Sequence, residues 1–189
     1  LYMIYSQGET VAGQAARPSE GTPVDSGTTH WLSSVFGRAA DDIWAVGNGG
    51  TVLHYDGIGW DSVDTGTSYS FSSVWSSSSD DVWAVSENGV IIQYDGEMWK
   101  RVASGTTDWL TSVWGSASDN VWAVGENGVI LHYDGSRWDA VASGTVESLS
   151  SVWGSSSDNV WAVGTNGIIL HYDGIRWDIV ASGTDYMFR

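Results

Sequence analysis

A repeat with a period of 39 residues runs through most of the chain. One tryptophan of the repeat recurs at this step, at Trp44, Trp83, Trp122 and Trp161. A second tryptophan keeps the same step, at Trp60, Trp99, Trp138 and Trp177. A period of this length over four copies is typical of propellers, solenoids and other arrays, in which each unit buries its apolar surface against its neighbours. The chain of 189 residues is therefore expected to fold as one continuous array.

The period divides the chain into an extension and an array. Four units are predicted, at about residues 32–70, 71–109, 110–148 and 149–187, inside an array that covers residues 21–189. Residues 1–20 fall outside the repeat and are interpreted as a short strand followed by a loop, because Pro18 and several small residues follow an apolar start.

Each unit contains four short runs that predict strands. In the third unit these runs are 112–115, 121–125, 129–133 and 138–143. An Asn-Gly or Gly-Gly pair separates the second and third runs, which predicts a tight hairpin with positive φ at both residues. An Asp-Gly pair separates the third and fourth runs, and an Asp-Asp or Asp-Asn pair follows the first run, as expected for turns.

The pattern of faces selects one architecture among those that use such units. The second and third runs are apolar at consecutive positions, which indicates a sheet that is buried on both faces. The fourth run carries a charged or acidic residue after its tryptophan, which indicates a half-exposed outer strand, at Asp61, Lys100, Asp139 and Asp178. A β-trefoil closes with three units, and a solenoid would be apolar on one face only. We therefore predict an all-β fold, a β-propeller with four clear four-stranded blades.

The two ends of the repeat leave the closure of the ring open. The chain enters the repeat on a fourth strand at Val24 and finishes where the next first strand would start, at residues 186–189. The sequence therefore predicts an incomplete ring that further repeats or another chain completes. Residues 1–29 are expected to help as closing strands.

The turn before the fourth strand resembles the Asp-box (BNR) repeat and tectonin-like repeats of the β-propeller superfamily. In the Asp-box, an Asp and a Gly in this turn precede a Trp on the fourth strand. The matching pairs are Asp56-Gly57, Asp95-Gly96, Asp134-Gly135 and Asp173-Gly174. This sequence differs in placing the Gly directly after the Asp and a Tyr before it. The resemblance covers residues 24–189 and implies the propeller fold, which serves enzymes, lectins and scaffolds alike.

The charge and the missing residue types exclude several classes of partner. Lys and Arg total 7, Asp and Glu total 23, and the formal net charge is −16. Such a charge repels phosphate backbones and anionic lipids, so we expect no nucleic-acid partner. No apolar run approaches the length of a membrane span, so we expect no membrane insertion. The apolar start, residues 1–5, suggests an exported protein, and the predicted location is extracellular or at the cell surface.

Most of the residues that recur in every unit are predicted to have a structural role. The twelve aromatic residues at three positions per unit are predicted to be core. His54, His132 and His171 share one position with Gln93, which is a poor metal ligand, so they are interpreted as structural hydrogen-bonding residues. The Asp of each Asp-Gly pair is interpreted as a turn cap. Without alternating oxygen ligands a Ca²⁺ role has no support, and we predict no metal and no cofactor.

No catalytic residues are predicted. The chain has no Cys, and the G-x-S-x-G pattern of serine hydrolases is missing. A sialidase-like site would need several converging Arg, and the array has few. A pair of carboxylates for glycoside hydrolysis stays open, since nothing singles out a pair among so many Asp.

The candidate binding residues lie where the units differ. The connections from the fourth strand to the next first strand vary most, and in a propeller they share a face with the Asn-Gly hairpins. The candidates on this face are aromatic or polar: His30, Trp31, Tyr69, Asp108, Trp109, Glu147, Tyr186, Glu87 and Glu126. Aromatic and polar groups together suit sugars and peptides. The leading hypothesis is a non-catalytic recognition or scaffold module for a glycan or protein. The alternatives are an oligomer or filament subunit joined through unpaired strands, and a glycoside hydrolase.

Overall fold

Four antiparallel sheets of four strands, which we call blades 1 to 4, make up the part of the chain that the computed structural model describes, residues 25–181. The strands of each blade follow one another in sequence and in space. Their bounds are β1 (Leu32–Ala39), β2 (Asp42–Gly47), β3 (Val52–Tyr55) and β4 (Trp60–Ser62) in blade 1; β5 (Phe71–Ser78), β6 (Asp81–Ser86), β7 (Ile91–Tyr94) and β8 (Trp99–Val102) in blade 2; β9 (Leu110–Ala117), β10 (Asn120–Gly125), β11 (Ile130–Tyr133) and β12 (Trp138–Val141) in blade 3; and β13 (Leu149–Ser156), β14 (Asn159–Gly164), β15 (Ile169–Tyr172) and β16 (Trp177–Ile179) in blade 4.

The prediction of a β-propeller with four-stranded blades is confirmed. The first strand of each blade is longer than predicted and the fourth is shorter, as in β9 and β12. The first strand is longer because Leu110 and Ala117 at its two ends pair with Gly125 and Asn120 of the second strand across register shifts. The predicted N-terminal strand and Tyr186 lie outside the described residues.

The turn between the second and third strands is a short 3-10 turn rather than the predicted two-residue hairpin. The four turns are Asn48–Gly50, Glu87–Gly89, Glu126–Gly128 and Thr165–Gly167. The predicted positive φ is nevertheless confirmed, at 55° for Asn127 and 70° for Gly128. The turn has three residues, Glu126–Gly128, and it is closed by a hydrogen bond that the amide of Val129 donates to the carbonyl of Glu126, at 3.0 Å.

The blades stack in sequence order around an axis. The first strands pack beside one another, β1 on β5, β5 on β9 and β9 on β13, so they lie innermost. Three apolar clusters fill the seams between consecutive blades. In each seam the second-strand tryptophan of one blade contacts a Tyr and a Trp of the next. In the middle seam Trp83 meets Tyr133 at 4.7 Å and Trp138 at 5.4 Å between ring centroids.

The prediction that all twelve repeated aromatic residues are core is wrong for Trp153. Its counterpart Trp75 in blade 2 is buried, whereas Trp153 is 59% exposed. The reason is positional: Trp75 faces blade 3, but no blade within residues 25–181 follows blade 4. The same side chain is therefore core or surface according to whether a neighbour is present.

The Asp-Gly turns confirm the interpretation of their Asp as a cap. The carboxylate of Asp134 accepts hydrogen bonds from the amides of Ser136 and Arg137, at 2.9 and 3.1 Å. Asp56, Asp95 and Asp173 make the same pair of bonds. The Ser136 hydroxyl and these amides hold the pKa of Asp134 at about 2, because they stabilise the charged form. Gly must follow the Asp, since φ is positive and a Cβ on Gly135 would lie 2.9 Å from the Cβ of Asp119.

The shared His or Gln position is structural, as predicted. His171 stacks on Trp161, with ring centroids 4.1 Å apart, and its Nε2 lies 2.8 Å from Oδ1 of Asn159. In blade 2 the amide of Gln93 donates to Asp81 at 2.8 Å. The residue that closes the first turn of the blade thus holds the third strand through one hydrogen bond, which either side chain can make.

Candidate functional site

Two sets of loops meet on one face of the stack, which we call the mouth face. The backbone amide of Asn48 donates to the carbonyl of Trp31 at 2.9 Å, and the amide of Glu126 donates to Trp109 at 2.9 Å. Each bond joins a strand-two to strand-three turn to the connection that enters the same blade. The loops that differ most between units therefore lie beside the Asn-Gly turns.

At the centre of the mouth face the first strands surround a hollow, which we call the axial mouth. Four hydroxyl side chains occupy the same repeat position, at Ser33, Ser72, Thr111 and Ser150, and all four line this hollow of about 320 Å³. Asn48 and Trp109 complete much of its wall. Because one residue of each first strand faces the axis, the repeat places hydroxyls around the hollow.

Trp109 is the aromatic residue that the structure places in the axial mouth. Its indole Nε1 donates to the hydroxyl of Ser72 on the preceding blade at 2.7 Å. The side chain is nevertheless 47% exposed. A large ring is thus held in place by one hydrogen bond while part of its surface stays open, as aromatic contact residues in binding sites are.

The predicted acidic residues lie on the mouth face, and two of them already accept hydrogen bonds. Asp108 accepts from the side-chain amide of Asn127 at 2.8 Å. Glu147 accepts from the Thr165 hydroxyl at 2.7 Å and from the amide of Asn166 at 2.8 Å. These carboxylates tie the entering connection to the 3-10 turn of the same blade. They fix the shape of the mouth face and keep negative charge on it.

The remaining acidic candidates begin two of the 3-10 turns. Glu87 starts the turn of blade 2 and Glu126 that of blade 3, where its amide bonds to Trp109. Both turns lie on the mouth face. The structure thus brings Asp108, Trp109 and Glu126 together.

The other predicted residues lie on the mouth face but apart from Trp109. The ring of His30 meets the hydroxyl of Thr51 at 2.7 Å. Trp31, which holds in blade 1 the position that Trp109 holds in blade 3, is 76% exposed. Tyr69 is half-buried, and the guanidinium of Arg101 lies 5.7 Å from its ring centroid, a cation–π contact.

The hydroxyls of the axial mouth were missed by the sequence analysis. Thr111 donates to the carbonyl of Leu149 on the next blade at 2.7 Å, and Ser150 donates to Val163 at 3.2 Å. The signal was present, because a hydroxyl residue recurs every 39 residues one place after the first apolar residue of the unit. It could be interpreted only once the first strand was known to extend back to that residue.

Larger crevices lie beneath the connections from the fourth strand and are explained by the repeat itself. The crevice beside Gly128 and Ser143 in blade 3 has a volume of about 780 Å³. Similar crevices lie beside Gly89 in blade 2 and beside Gly50 in blade 1. A hollow that returns in three successive blades follows from blade geometry, so it is a weaker candidate than the axial mouth.

Within residues 25–181 no cluster of three or more His, Asp or Glu side chains is arranged to hold a metal ion. The same residues include no helix with the length and apolar character that a membrane crossing requires.

Comparison with known proteins agrees with the fold. No protein-family model matches the sequence, and no curated protein matches it. The structure is similar to that of YCF48 from Cyanidioschyzon merolae, with a TM-score of 0.65 and 22% identity, covering 84% of this chain and 58% of that chain. A structure described as YCF48 bound to D1 peptide gives a TM-score of 0.64 and 19% identity, covering 80% of this chain and 53% of that one.

A third solved structure extends the likeness to WD40 repeats. The crystal structure of RRP9 WD40 repeats gives a TM-score of 0.62 at 8% identity, covering 79% of this chain and 52% of that one. The chain spans a little over half the length of each of these proteins. Similarity at such low identity shows a shared β-propeller fold, and the resemblance to Asp-box repeats stays a prediction.

Proposed function

We propose that this protein is a non-catalytic interaction module that binds a segment of another protein at the axial mouth. The observation that carries the proposal is Trp109, a half-exposed indole fixed across the mouth by Ser72. Aromatic residues anchored in this way contribute a large share of binding energy in protein interfaces. The hydroxyls beside it are suited to hydrogen bonds with backbone groups of a peptide.

The charge of the mouth face defines the kind of segment. Asp108, Glu87, Glu126 and Glu147 lie in the connections and turns of the mouth face, and the whole chain carries −16. Such a surface attracts cationic segments and raises their association rate, with an effect that weakens as salt screens it. We therefore infer that the preferred segment is neutral or basic. The similar fold of YCF48 bound to D1 peptide is compatible with peptide binding on such a scaffold.

Peptide arrays of graded net charge test the proposal. We expect capture to rise from acidic to basic peptides and to fall as salt is added. Trp109→Ala should weaken capture by about tenfold or more, because an aromatic hot spot is lost. Ile175→Ala, which changes an exposed apolar residue in an Asp-Gly turn away from the mouth, is the control and should leave capture unchanged.

A glycan array run in parallel separates the two ligand classes that the sequence left open. Binding of glycans but of no peptide, with sensitivity to Trp109→Ala, would replace the peptide by a carbohydrate. Capture of basic peptides that is equal for the parent chain and for Trp109→Ala would contradict the proposed site.

A further inference from the structure

Each of the four blades carries an Asn-Gly pair in the turn between its second and third strands, and blade 1 carries it in a different register. In blades 2 to 4 the Asn is the second residue of the 3-10 turn, at Asn88, Asn127 and Asn166. In blade 1 the turn reads Asn-Gly-Gly, so Asn48 is its first residue and Gly49 takes the second place. The same dipeptide therefore adopts two conformations within one molecule.

An Asn-Gly pair can convert into an acid without an enzyme. The backbone nitrogen of the Gly attacks the side-chain carbon Cγ of the Asn, a C–N bond forms, and the side-chain nitrogen leaves as ammonia with the proton of the attacking amide. Gly favours this step because it has no side chain that restricts the backbone. Water then breaks one of the two C–N bonds of the five-membered imide. Opening at Cγ gives Asp, opening at the backbone carbonyl gives isoaspartate, and both carry one new carboxyl group.

The left-handed backbone conformation holds the two reacting atoms apart in blades 2 to 4. Asn88 has a φ of 57° and a ψ of 28°, and the φ values of Asn127 and Asn166 are 55° and 52°. In this region the Cβ of a residue lies close to its own carbonyl oxygen. The nitrogen of the next residue lies on the other side of the carbonyl carbon. The Cγ atom therefore cannot reach that nitrogen until the turn opens.

Carboxylates hold the Asn side chain in two of these three turns. The side-chain amide of Asn127 donates to Asp108 at 2.8 Å, and that of Asn166 donates to Glu147 at 2.8 Å. The same repeat position is a tyrosine in blade 2, so Asn88 has no such carboxylate. Ring closure in blades 3 and 4 therefore has to break one more hydrogen bond than in blade 2.

The glycine that supplies the attacking nitrogen is also packed differently. Gly89, which follows the Asn of blade 2, is buried, and a Cβ on it would lie 2.2 Å from the carbonyl oxygen of Thr106. Gly49 is exposed, and a Cβ on it would meet only the ring of His30, at 3.3 Å. The amide of Gly49 donates one long hydrogen bond, to the hydroxyl of Ser70 at 3.4 Å. The backbone of blade 1 is therefore less tightly enclosed at the reacting atom.

Asn48 has none of these restraints among residues 25–181. Its φ is not positive, because the left-handed place in its turn is taken by Gly49, with a φ of 66° and a ψ of 28°. Its side chain is exposed. Since its Cβ is not turned towards its own carbonyl oxygen, a smaller backbone rotation brings Cγ to the nitrogen of Gly49.

We propose that Asn48 is a site of spontaneous deamidation, and that the acid formed there strengthens the binding of a basic segment at the axial mouth. Asn48 and Trp109 both line this hollow, so the product adds a negative charge to the wall that contains the proposed anchor. The binding half of the inference rests on the proposed peptide function, whereas the chemical half needs no ligand. Older molecules of this protein then bind a basic partner more tightly than new ones.

Timed incubation of the folded chain at mildly alkaline pH tests the chemical half. Proteolytic digestion and mass spectrometry measure the acid formed at each of the four Asn. We expect Asn48 to convert at least about tenfold faster than Asn88, Asn127 and Asn166, because only its reacting atoms are close to a productive geometry. In concentrated urea, where the turns are lost, all four should convert at similar rates. Folded chain in which Asn48 converts no faster than the other three would overturn the proposal.

Exchange of the two turn registers is the matched control. Asn48→Glu with Gly49→Asn gives blade 1 the Glu-Asn-Gly turn of blades 2 and 3, and the resulting Asn-Gly pair should be as slow as that at Asn88. Glu126→Asn with Asn127→Gly gives blade 3 the Asn-Gly-Gly turn of blade 1, and its rate should rise towards that of Asn48. Circular dichroism confirms that both variants are folded. Rates that do not follow the register would show that the turn conformation is not the cause.

Asn48→Asp, which carries the acid from the start, tests the binding half. It should capture the basic peptides of the array about two- to fivefold more tightly than freshly purified parent chain, as for one added charge near a surface. The gain should disappear at high salt. Asn88→Asp adds the same charge outside the lining of the hollow and is the control, with a smaller gain.

The outcomes separate this inference from the proposed function. Equal capture by Asn48→Asp and by the parent chain would overturn the binding half. Conversion of Asn48 in a chain that captures no peptide at all would contradict the proposed function and support the chemical half alone.

Discussion

Blades 2 and 3 differ from blades 1 and 4 in environment far more than in sequence. Val85 and Val124 are fully buried in the central seams, whereas Val163 in the same position is 42% exposed in blade 4. All three follow the same Trp-Ala pair. The difference teaches that the repeat specifies the shape of a blade locally, while the burial of its two faces depends on its neighbours. Stability should therefore be greatest in the middle of the stack.

The largest expected contrast is between two equivalent tryptophans. Trp83 is fully buried and contacts Tyr133 and Trp138, whereas Trp161 is half-buried on the outward face of blade 4. Trp83→Ala should lower the free energy of unfolding by about 3–5 kcal/mol, the usual range for a buried aromatic residue. Trp161→Ala should cost clearly less when urea unfolding is measured in dilute protein.

Protein concentration sharpens this contrast further. If copies of the chain associate through the outward face of blade 4, the cost of Trp161→Ala grows as the protein is concentrated, since association stabilises the folded chain. The cost of Trp83→Ala should not change. Equal costs for the two variants at low concentration would contradict the difference between central and outer blades.

The second contrast uses two glycines of the first strand. A methyl group on Gly115 would meet the ring of Trp75 at 2.6 Å, whereas one on Gly37 would meet only the side chain of Ile43, at 3.1 Å. Gly115→Ala should destabilise by about 1–3 kcal/mol, the cost of overpacking. Gly37→Ala should cost less than this, since Ile43 is a half-buried side chain that can move. Thermal unfolding in dilute solution distinguishes them.

The third contrast concerns the hydrogen bonds between blades. Ser73 accepts from the amide of Val113, and its removal leaves that amide without this partner. Ser73→Ala should cost about 1 kcal/mol, as for one typical hydrogen bond. Ser151, which holds the position of Ser73 in blade 4, is exposed, so Ser151→Ala should cost almost nothing in dilute protein. A cost for Ser151→Ala that matches that for Ser73→Ala in dilute protein would show that the end serine is already paired within one chain.

The smallest effect is expected in acid. Asp134 in blade 3 has a pKa of about 2, and so does Asp95 in blade 2, where the Lys100 side chain is the main cause. An unfolded Asp has a pKa near 3.9. A carboxyl whose pKa is lowered by folding stabilises the fold above its unfolded pKa and loses this contribution as pH falls towards 2. Asp134→Asn should therefore flatten the fall in melting temperature between about pH 4 and pH 2.

Asp173 in blade 4 is the matched comparison for Asp134. Its pKa is lowered by the amides of Arg176 and Ile175, without the hydroxyl that Ser136 supplies to Asp134. Asp173→Asn should therefore have a smaller effect than Asp134→Asn on the fall in melting temperature between about pH 4 and pH 2. Identical curves for the two variants would show that the hydroxyl adds nothing to the cap.

Features of the fold that depend on contacts within one blade could be predicted from the sequence, whereas features that depend on a neighbouring blade could not. The caps at Asp-Gly turns and the shared role of His171 and Gln93 are set within one blade, and both were predicted from spacing. The exposure of Trp153 was not, because it depends on a neighbouring blade. Trp153 has the same sequence surroundings as Trp114, so no local signal distinguishes them.

The candidate site shows the same limit. The face shared by Trp31, Trp109 and the acidic residues was predicted from the variability of the connections. The axial hydroxyls were not, because their convergence requires four first strands to meet at one axis. The bonds of Asp108 and Glu147 to the turns were missed for a related reason: the partners lie 19 residues away on a loop whose geometry is set by the blade.

The recurring contacts between blades have a consequence for how such a chain can change through evolution. The Ser–Val hydrogen bond occurs in all three seams, and a tryptophan lies above a glycine in the second and third. An in-frame duplication of the blade 3 segment would therefore join two surfaces that already fit, because Trp114 would again lie above a glycine in the position of Gly115. A gene of this kind can lengthen by such a blade while the residues at the new junction need no compensating substitution, and only the curvature of the stack has to adapt.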